Sequence, residues 1–112
     1  MKIYHNPRCR KSREALALLE SKGIEPEVIR YLETPLSAAE LKALLKSLDL
    51  SAEALIRKNE AIFKSEFKGK TLTEEEWIEA MVQYPKLMER PIVVKGKKAV
   101  VGRPPEEVLK LL

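Results

Sequence analysis

The sequence predicts an α/β fold class, a mixed four-stranded sheet with helices packed on it. Three observations carry this. Extended runs at residues 2–4 and 27–32 are joined by a helical stripe, the pattern of a parallel pair with a crossover. Ile92-Val93-Val94 and Ala99-Val100-Val101 flank a turn and read as an antiparallel hairpin. Between these parts, residues about 37–84 carry helical signals. The 112 residues suit one domain, 1–112.

The elements follow in order. Residues 2–4 end in His5-Asn6-Pro7-Arg8-Cys9, a loop with turn chemistry. Ala15, Leu16, Leu18 and Leu19 mark a helix over about 10–22, stopped by Gly23. Glu27 to Leu32 alternates and carries Val28, Ile29 and Tyr31, so it reads as a strand. Ser37 with Glu40 matches a capping box, and Leu41, Leu44, Leu45 and Leu48 supply the buried face of the helix it opens. Ser51 is expected to cap a short helix through Leu55 and Ile56. Residues 60–72 are broken by Gly69. Thr73 with Glu76 forms a second capping box before Trp77, Ile78, Met81 and Val82, and Pro85 ends that helix or starts a further turn. Lys95-Gly96-Lys97-Lys98 is the hairpin turn. Gly102-Arg103-Pro104-Pro105 leads into a last helix, expected to turn Val108, Leu109, Leu111 and Leu112 inward.

Composition removes several function classes. With 45% hydrophobic and 34% charged residues the chain is expected to fold rather than remain disordered. Its single cysteine permits no internal disulfide, which fits a reducing, cytoplasmic setting. The start, Met1 to His5, has no apolar stretch of the signal-peptide kind, and no run approaches the ~20 residues of a membrane helix. The net charge of +4 is dispersed, and Lys95, Lys97 and Lys98 read as solvated lysines around a turn. With 5% aromatics and no interleaved stacking residues, neither a nucleic-acid nor a membrane partner is expected. No bound metal is expected, and a monomer is.

Cys9 carries the chemistry. It follows a strand and precedes a helix, where unsatisfied N–H groups and the helix dipole favour a thiolate. Arg8, Arg10 and Lys11 add positive charge. A buried, inert thiol is the alternative, but Asn, Pro, Arg, Lys and Ser are poor core company. His5, the only histidine, fits two roles: favouring the thiolate or organising the loop. Ser12 stands where dithiol redox proteins place a second cysteine, so an external thiol must resolve an oxidised Cys9. Ser12 could offer a donor to an anion or simply open the helix. Arg57, Arg90 and Arg103 come from separate segments and have the forked donors suited to a tetrahedral oxyanion, although scattered surface arginines would look the same.

His5-Asn6-Pro7-Arg8-Cys9-Arg10-Lys11-Ser12 resembles the active-site loop of the glutaredoxin-coupled arsenate reductases, in the thioredoxin-fold superfamily that also holds the Spx-type proteins. The resemblance continues, in order, through Tyr31-Leu32-Glu33-Thr34-Pro35, Leu55-Ile56-Arg57-Lys58-Asn59, Glu89-Arg90-Pro91-Ile92-Val93-Val94 and Gly102-Arg103-Pro104. It implies a thioredoxin-like sheet with a helical insertion at about 37–84 and a cis bond before Pro91. It implies that Cys9 attacks arsenate, that Arg57, Arg90 and Arg103 bind the oxyanion, and that His5 helps hold the thiolate. Glutathione is then the co-substrate that attacks the adduct, and glutaredoxin the partner that reduces the mixed disulfide; no cofactor stays bound.

Two relatives in the same superfamily give alternatives: a glutathione-dependent thiol reductase acting on another substrate, and an Spx-type regulator that binds RNA polymerase. Spx-type proteins typically carry a cysteine where this chain has Ser12. Both lack an arginine matching Arg103, so Arg103 favours arsenate.

Overall fold

The computed structural model describes residues 1–112, which divide into two compact units. Met1–Thr34 with Arg90–Leu112 form the sheet unit, and Pro35–Glu89 the helical unit. In the sheet unit, β1 (Lys2–Tyr4) leads through the Cys9 loop into α1 (Arg10–Ser21), followed by β2 (Glu27–Ile29), β3 (Ile92–Lys95) and β4 (Lys98–Val101). The strand order is β2-β1-β3-β4, with β1 parallel to β2 and antiparallel to β3, and β3 antiparallel to β4. This is the expected thioredoxin-like mixed sheet.

Register explains the core. Val28, Ile3, Val93 and Val100 form one row across the sheet. Ile3 and Val93 are central and fully buried, whereas Val28, on the edge strand, is 43% exposed. Ala15 and Leu19, four residues apart, put one face of α1 on that row. The hairpin closes at the Lys95–Lys98 pair, leaving the two-residue loop Gly96-Lys97. Gly96 has φ +61, which the first central residue of a II′ turn requires.

Three expectations are corrected. β2 ends at Ile29, and Arg30 to Thr34 turn, with the Glu33 and Thr34 amides bonding the Arg30 carbonyl. Tyr31 is therefore a buried turn residue rather than a strand residue. The C-terminal segment Pro105–Leu111 is a 3₁₀ helix, and its buried residues are Pro105, Val108 and Leu111. Three residues per turn stack positions i, i+3 and i+6 on one face. Leu109 (37% exposed) and Leu112 (50% exposed) consequently point outward rather than inward. Ile56 leaves the short helix in extended geometry and bridges Met88.

The helical unit holds α2 (Ala38–Leu48), a 3₁₀ turn at Glu53–Leu55, α3 (Ala61–Glu66), α4 (Glu74–Gln83) and a 3₁₀ turn at Pro85–Leu87. Both capping boxes form: Ser37 and Thr73 accept from the amides of Glu40 and Glu76, whose carboxylates accept from the cap amides in return. Leu41, Leu44 and Leu45 of α2 and Trp77, Ile78 and Met81 of α4 are buried. Trp77 stacks on Phe63 at 6.2 Å between ring centroids. No helix is long and apolar enough to cross a membrane.

Gly102 in the sheet unit tolerates no side chain. A Cβ there would lie 2.9 Å from Pro91 Cγ and 3.2 Å from Val108 Cγ1. Gly102→Ala is expected to destabilise the fold by about 1–3 kcal/mol through overpacking, read as a lower denaturant midpoint at unchanged slope. An unchanged midpoint would show that Pro91 yields freely.

Candidate active site

The site begins with a tight turn. Asn6-Pro7-Arg8-Cys9 is closed by Cys9 N–H donating to the Asn6 carbonyl at 2.9 Å. Asparagine at the first position and proline at the second are favoured turn residues, the latter because its φ is preset. Cys9 leaves the turn in extended geometry (φ −91°, ψ 120°) as the N-cap of α1. Its thiol therefore sits at the helix start, as expected. The cysteine is nevertheless only 9% exposed, more buried than its polar neighbours in sequence imply.

Polar groups surround it. The Cys9 thiol is pushed up by burial, but the Ser12 backbone N–H, the Arg90 side chain and the charge of Arg103 outweigh this and hold it below its ordinary value. Arg103 Nη2 lies 3.6 Å from Cys9 Sγ, and Arg103 Nε donates to the Arg90 carbonyl at 2.7 Å. Arg90 Nε is buried and has no partner. The Arg90–Pro91 bond is cis, as the resemblance implied, and Arg103–Pro104, not anticipated, is cis as well. The antiparallel β1–β3 and β3–β4 pairings carry both arginines to the end of β1.

The arginines adjacent in sequence do not play the part expected of them. Arg10 Nε bonds Glu14 at 3.1 Å, and Lys11 lies 3.8 Å from the same carboxylate. The cations that lower the thiol are the distant Arg90 and Arg103.

Ser12 and His5 form a buried pair, with His5 Nδ1 and Ser12 Oγ 2.6 Å apart. His5 is shifted toward its neutral form, first by burial and then by the charges of Arg30 and Arg13. A neutral imidazole bonded to Ser12 matches the loop-organising role better than a charged partner of the thiolate. Ser12 thus serves on two sides, its hydroxyl holding the loop and its amide facing the sulfur.

The structure therefore brings Cys9, His5, Ser12, Arg90, Pro91 and Arg103 together in the sheet unit. Arg57 belongs to the helical unit. Its amide bonds the Leu87 carbonyl at 2.7 Å, and its Nη1 is buried without a partner. Two further residues act on the loop: Asn6 Oδ1 accepts from the Arg8 amide at 3.0 Å, and Arg13 Nη1 donates to the Pro7 carbonyl at 3.0 Å. The Asn-Pro dipeptide signals such a turn, but nothing in the sequence pairs Arg13 with Pro7. Across the chain, no group of three or more His, Cys, Asp or Glu side chains could hold a metal ion.

The depressed thiol predicts a pH profile. Deprotonation creates the nucleophile, so alkylation of Cys9 should rise with pH through an inflection below the ~8.5 of a free cysteine. An inflection at or above that value in rate-versus-pH data would remove the thiolate from the site.

Comparison with known proteins places this geometry. Residues 4–111 match the profile of the ArsC family. The chain is 56% identical over 114 residues to the Escherichia coli (strain K12) protein named "Uncharacterized protein YfgD", covering 100% of this chain and 96% of that one. It is 44% identical over 112 residues to an arsenate reductase of Haemophilus influenzae, covering 98% and 97% of the two chains. The solved arsenate reductase of Vibrio cholerae superposes with a TM-score of 0.95 at 50% identity, over 99% of this chain and 96% of that one. By this extent of similarity, with a loop cysteine beside two arginines that flank β3 and β4, the chain belongs to the ArsC family.

Proposed function

We propose that the protein is an arsenate reductase that uses glutathione and glutaredoxin as its reducing partners. The observation that carries the reading is the Arg103 guanidinium 3.6 Å from the Cys9 sulfur, with the buried, unpartnered Nε of Arg90 in the same cluster. A buried donor without an acceptor is costly unless a ligand completes it. A tetrahedral oxyanion supplies such an acceptor and matches forked donors. The resemblance also implies Arg57 as an oxyanion ligand.

The chemistry balances as follows. The Cys9 thiolate attacks arsenic and displaces a hydroxyl, which leaves as water after protonation, forming a sulfur–arsenic bond. A glutathione thiolate then attacks the Cys9 sulfur. The sulfur–arsenic bond breaks with its electron pair going to arsenic, which falls from the pentavalent to the trivalent state and leaves as arsenite. The remaining mixed disulfide between Cys9 and glutathione is reduced by a glutaredoxin thiol. Ser12 cannot do this, so the enzyme depends on the outside thiol. Arg90 and Arg103 favour both the anion and the thiolate, and the charge that builds on the arsenate oxygens during attack lies against fixed donors. We assign the protein to the cytoplasm, as a monomer.

The test is a coupled assay. Purified protein with glutathione, glutaredoxin, glutathione reductase and NADPH should consume NADPH when arsenate is added. No arsenate-dependent turnover, with coupling verified on a disulfide substrate, would leave a glutathione-dependent thiol reductase. Capture of RNA polymerase by the chain would instead favour the regulator.

A further inference from the structure

We propose that Asn6 and Arg13 are positioning residues for Cys9, clamping the two ends of the single Pro7–Arg8 peptide. The proposal deepens the reading above and rests on Cys9 being the reacting group. The Asn6 side chain accepts the Arg8 N–H at 3.0 Å, while Arg13, reaching back from α1, donates to the Pro7 carbonyl at 3.0 Å. These two atoms belong to the same peptide plane, the central plane of the turn that delivers Cys9. That plane is the part of a β-turn that rotates between turn types I and II, changing ψ at Pro7 and φ at Arg8. With both ends held, rotation breaks two hydrogen bonds at once.

The clamp is continuous with the groups that face the sulfur. The Asn6 amide donates to Ser12 Oγ at 3.1 Å, and the same oxygen bonds His5 Nδ1. The Ser12 amide, Arg90 and Arg103 are the groups acting on the thiol. Cys9 must keep its place at the start of α1 for the Ser12 amide to reach it. Asn6 is buried and its bond to the Arg8 amide is part-buried, whereas the Arg13 bond is exposed and makes the weaker half of the clamp. Neither side chain is assigned a contact with substrate.

The experiment reads Cys9 directly and needs no arsenate. Alkylation of the single cysteine by iodoacetamide is followed by mass spectrometry against pH, with thermal unfolding recorded alongside. In Asn6→Ala the inflection should move upward by about half a unit or more, because a looser loop weakens the amide–thiolate bond. Asn6→Ser retains a hydroxyl acceptor of the kind that closes such turns and should restore part of the shift. Arg13→Ala should move it upward by a smaller amount; Arg13 is not among the charges acting on the thiol, so that shift reports geometry. A variant that loses thermal stability while its inflection stays on the wild-type value overturns the proposal. If Asn6→Ala fails to fold, an unshifted profile in Arg13→Ala overturns it instead. A wild-type inflection at the ordinary cysteine value removes the thiolate reading itself, a distinguishable failure.

Discussion

Cys9→Ser is expected to abolish arsenate-dependent NADPH consumption while leaving the protein folded. The loss is expected on the order of 10⁴-fold or to the assay background, because a serine hydroxyl at neutral pH is not ionised and forms no sulfur–arsenic bond. Stability should not follow activity. Cys9 is the N-cap of α1 and its side chain makes no capping bond. Serine is among the preferred N-cap residues, worth about 1 kcal/mol over a non-capping side chain. The variant should therefore unfold at the same denaturant concentration or a higher one. Retained arsenate turnover in Cys9→Ser, measured in the glutaredoxin-coupled assay, would place the chemistry elsewhere.

Arg103→Ala is expected to lower kcat/KM for arsenate by about 10²–10³-fold, the usual loss when a preorganised donor is removed from a charge-stabilising site. Two bonds disappear together, Nη2 to the Cys9 sulfur and Nε to the Arg90 carbonyl. The second loss frees the backbone beside Arg90, so Arg90 is displaced as well. The alkylation inflection of Cys9 should rise, since the Arg103 charge is one of the causes holding it down. Arg103→Lys should recover the charge but not the fork, and so only part of the rate. The residue itself is exposed, so the fold should lose about 1 kcal/mol or less. Unchanged arsenate kinetics in Arg103→Ala would take this guanidinium out of the anion site.

These expectations depend on placement rather than on residue type. Arg8, Arg10 and Lys11 flank Cys9 in sequence, yet Arg10 and Lys11 engage Glu14 on the outer face of α1. Arg90 and Arg103 are far from Cys9 along the chain and reach it through strand pairing. Arg10 and Lys11 point away from the thiol because successive residues in a helix turn by about 100°. His5 shows the same limit: its identity allowed a charged or a structural role, and only its burial and its bond to Ser12 separate them.

Local patterns were sufficient for several features built from neighbours in sequence, though not for the Arg30–Thr34 turn. The Ser37 and Thr73 capping boxes, the Gly96 turn, the helix start at Cys9 and the sequence order of strands and helices all depend on contacts within a few residues or on hydrophobic period, and these were legible. The last segment was not, because Val108, Leu109, Leu111 and Leu112 are equally apolar and do not declare whether the turn holds three residues or 3.6. Packing against α1 and the sheet chose three, burying Val108 and Leu111 and exposing the other two. The sequence by itself determined that one cysteine stands at a strand-to-helix loop with no second thiol to resolve it. Only the tertiary structure decided which cations act on that thiol, since the electrostatics of a buried sulfur depend on distance through space, and Arg90 and Arg103 are brought near it by the pairing of β1, β3 and β4.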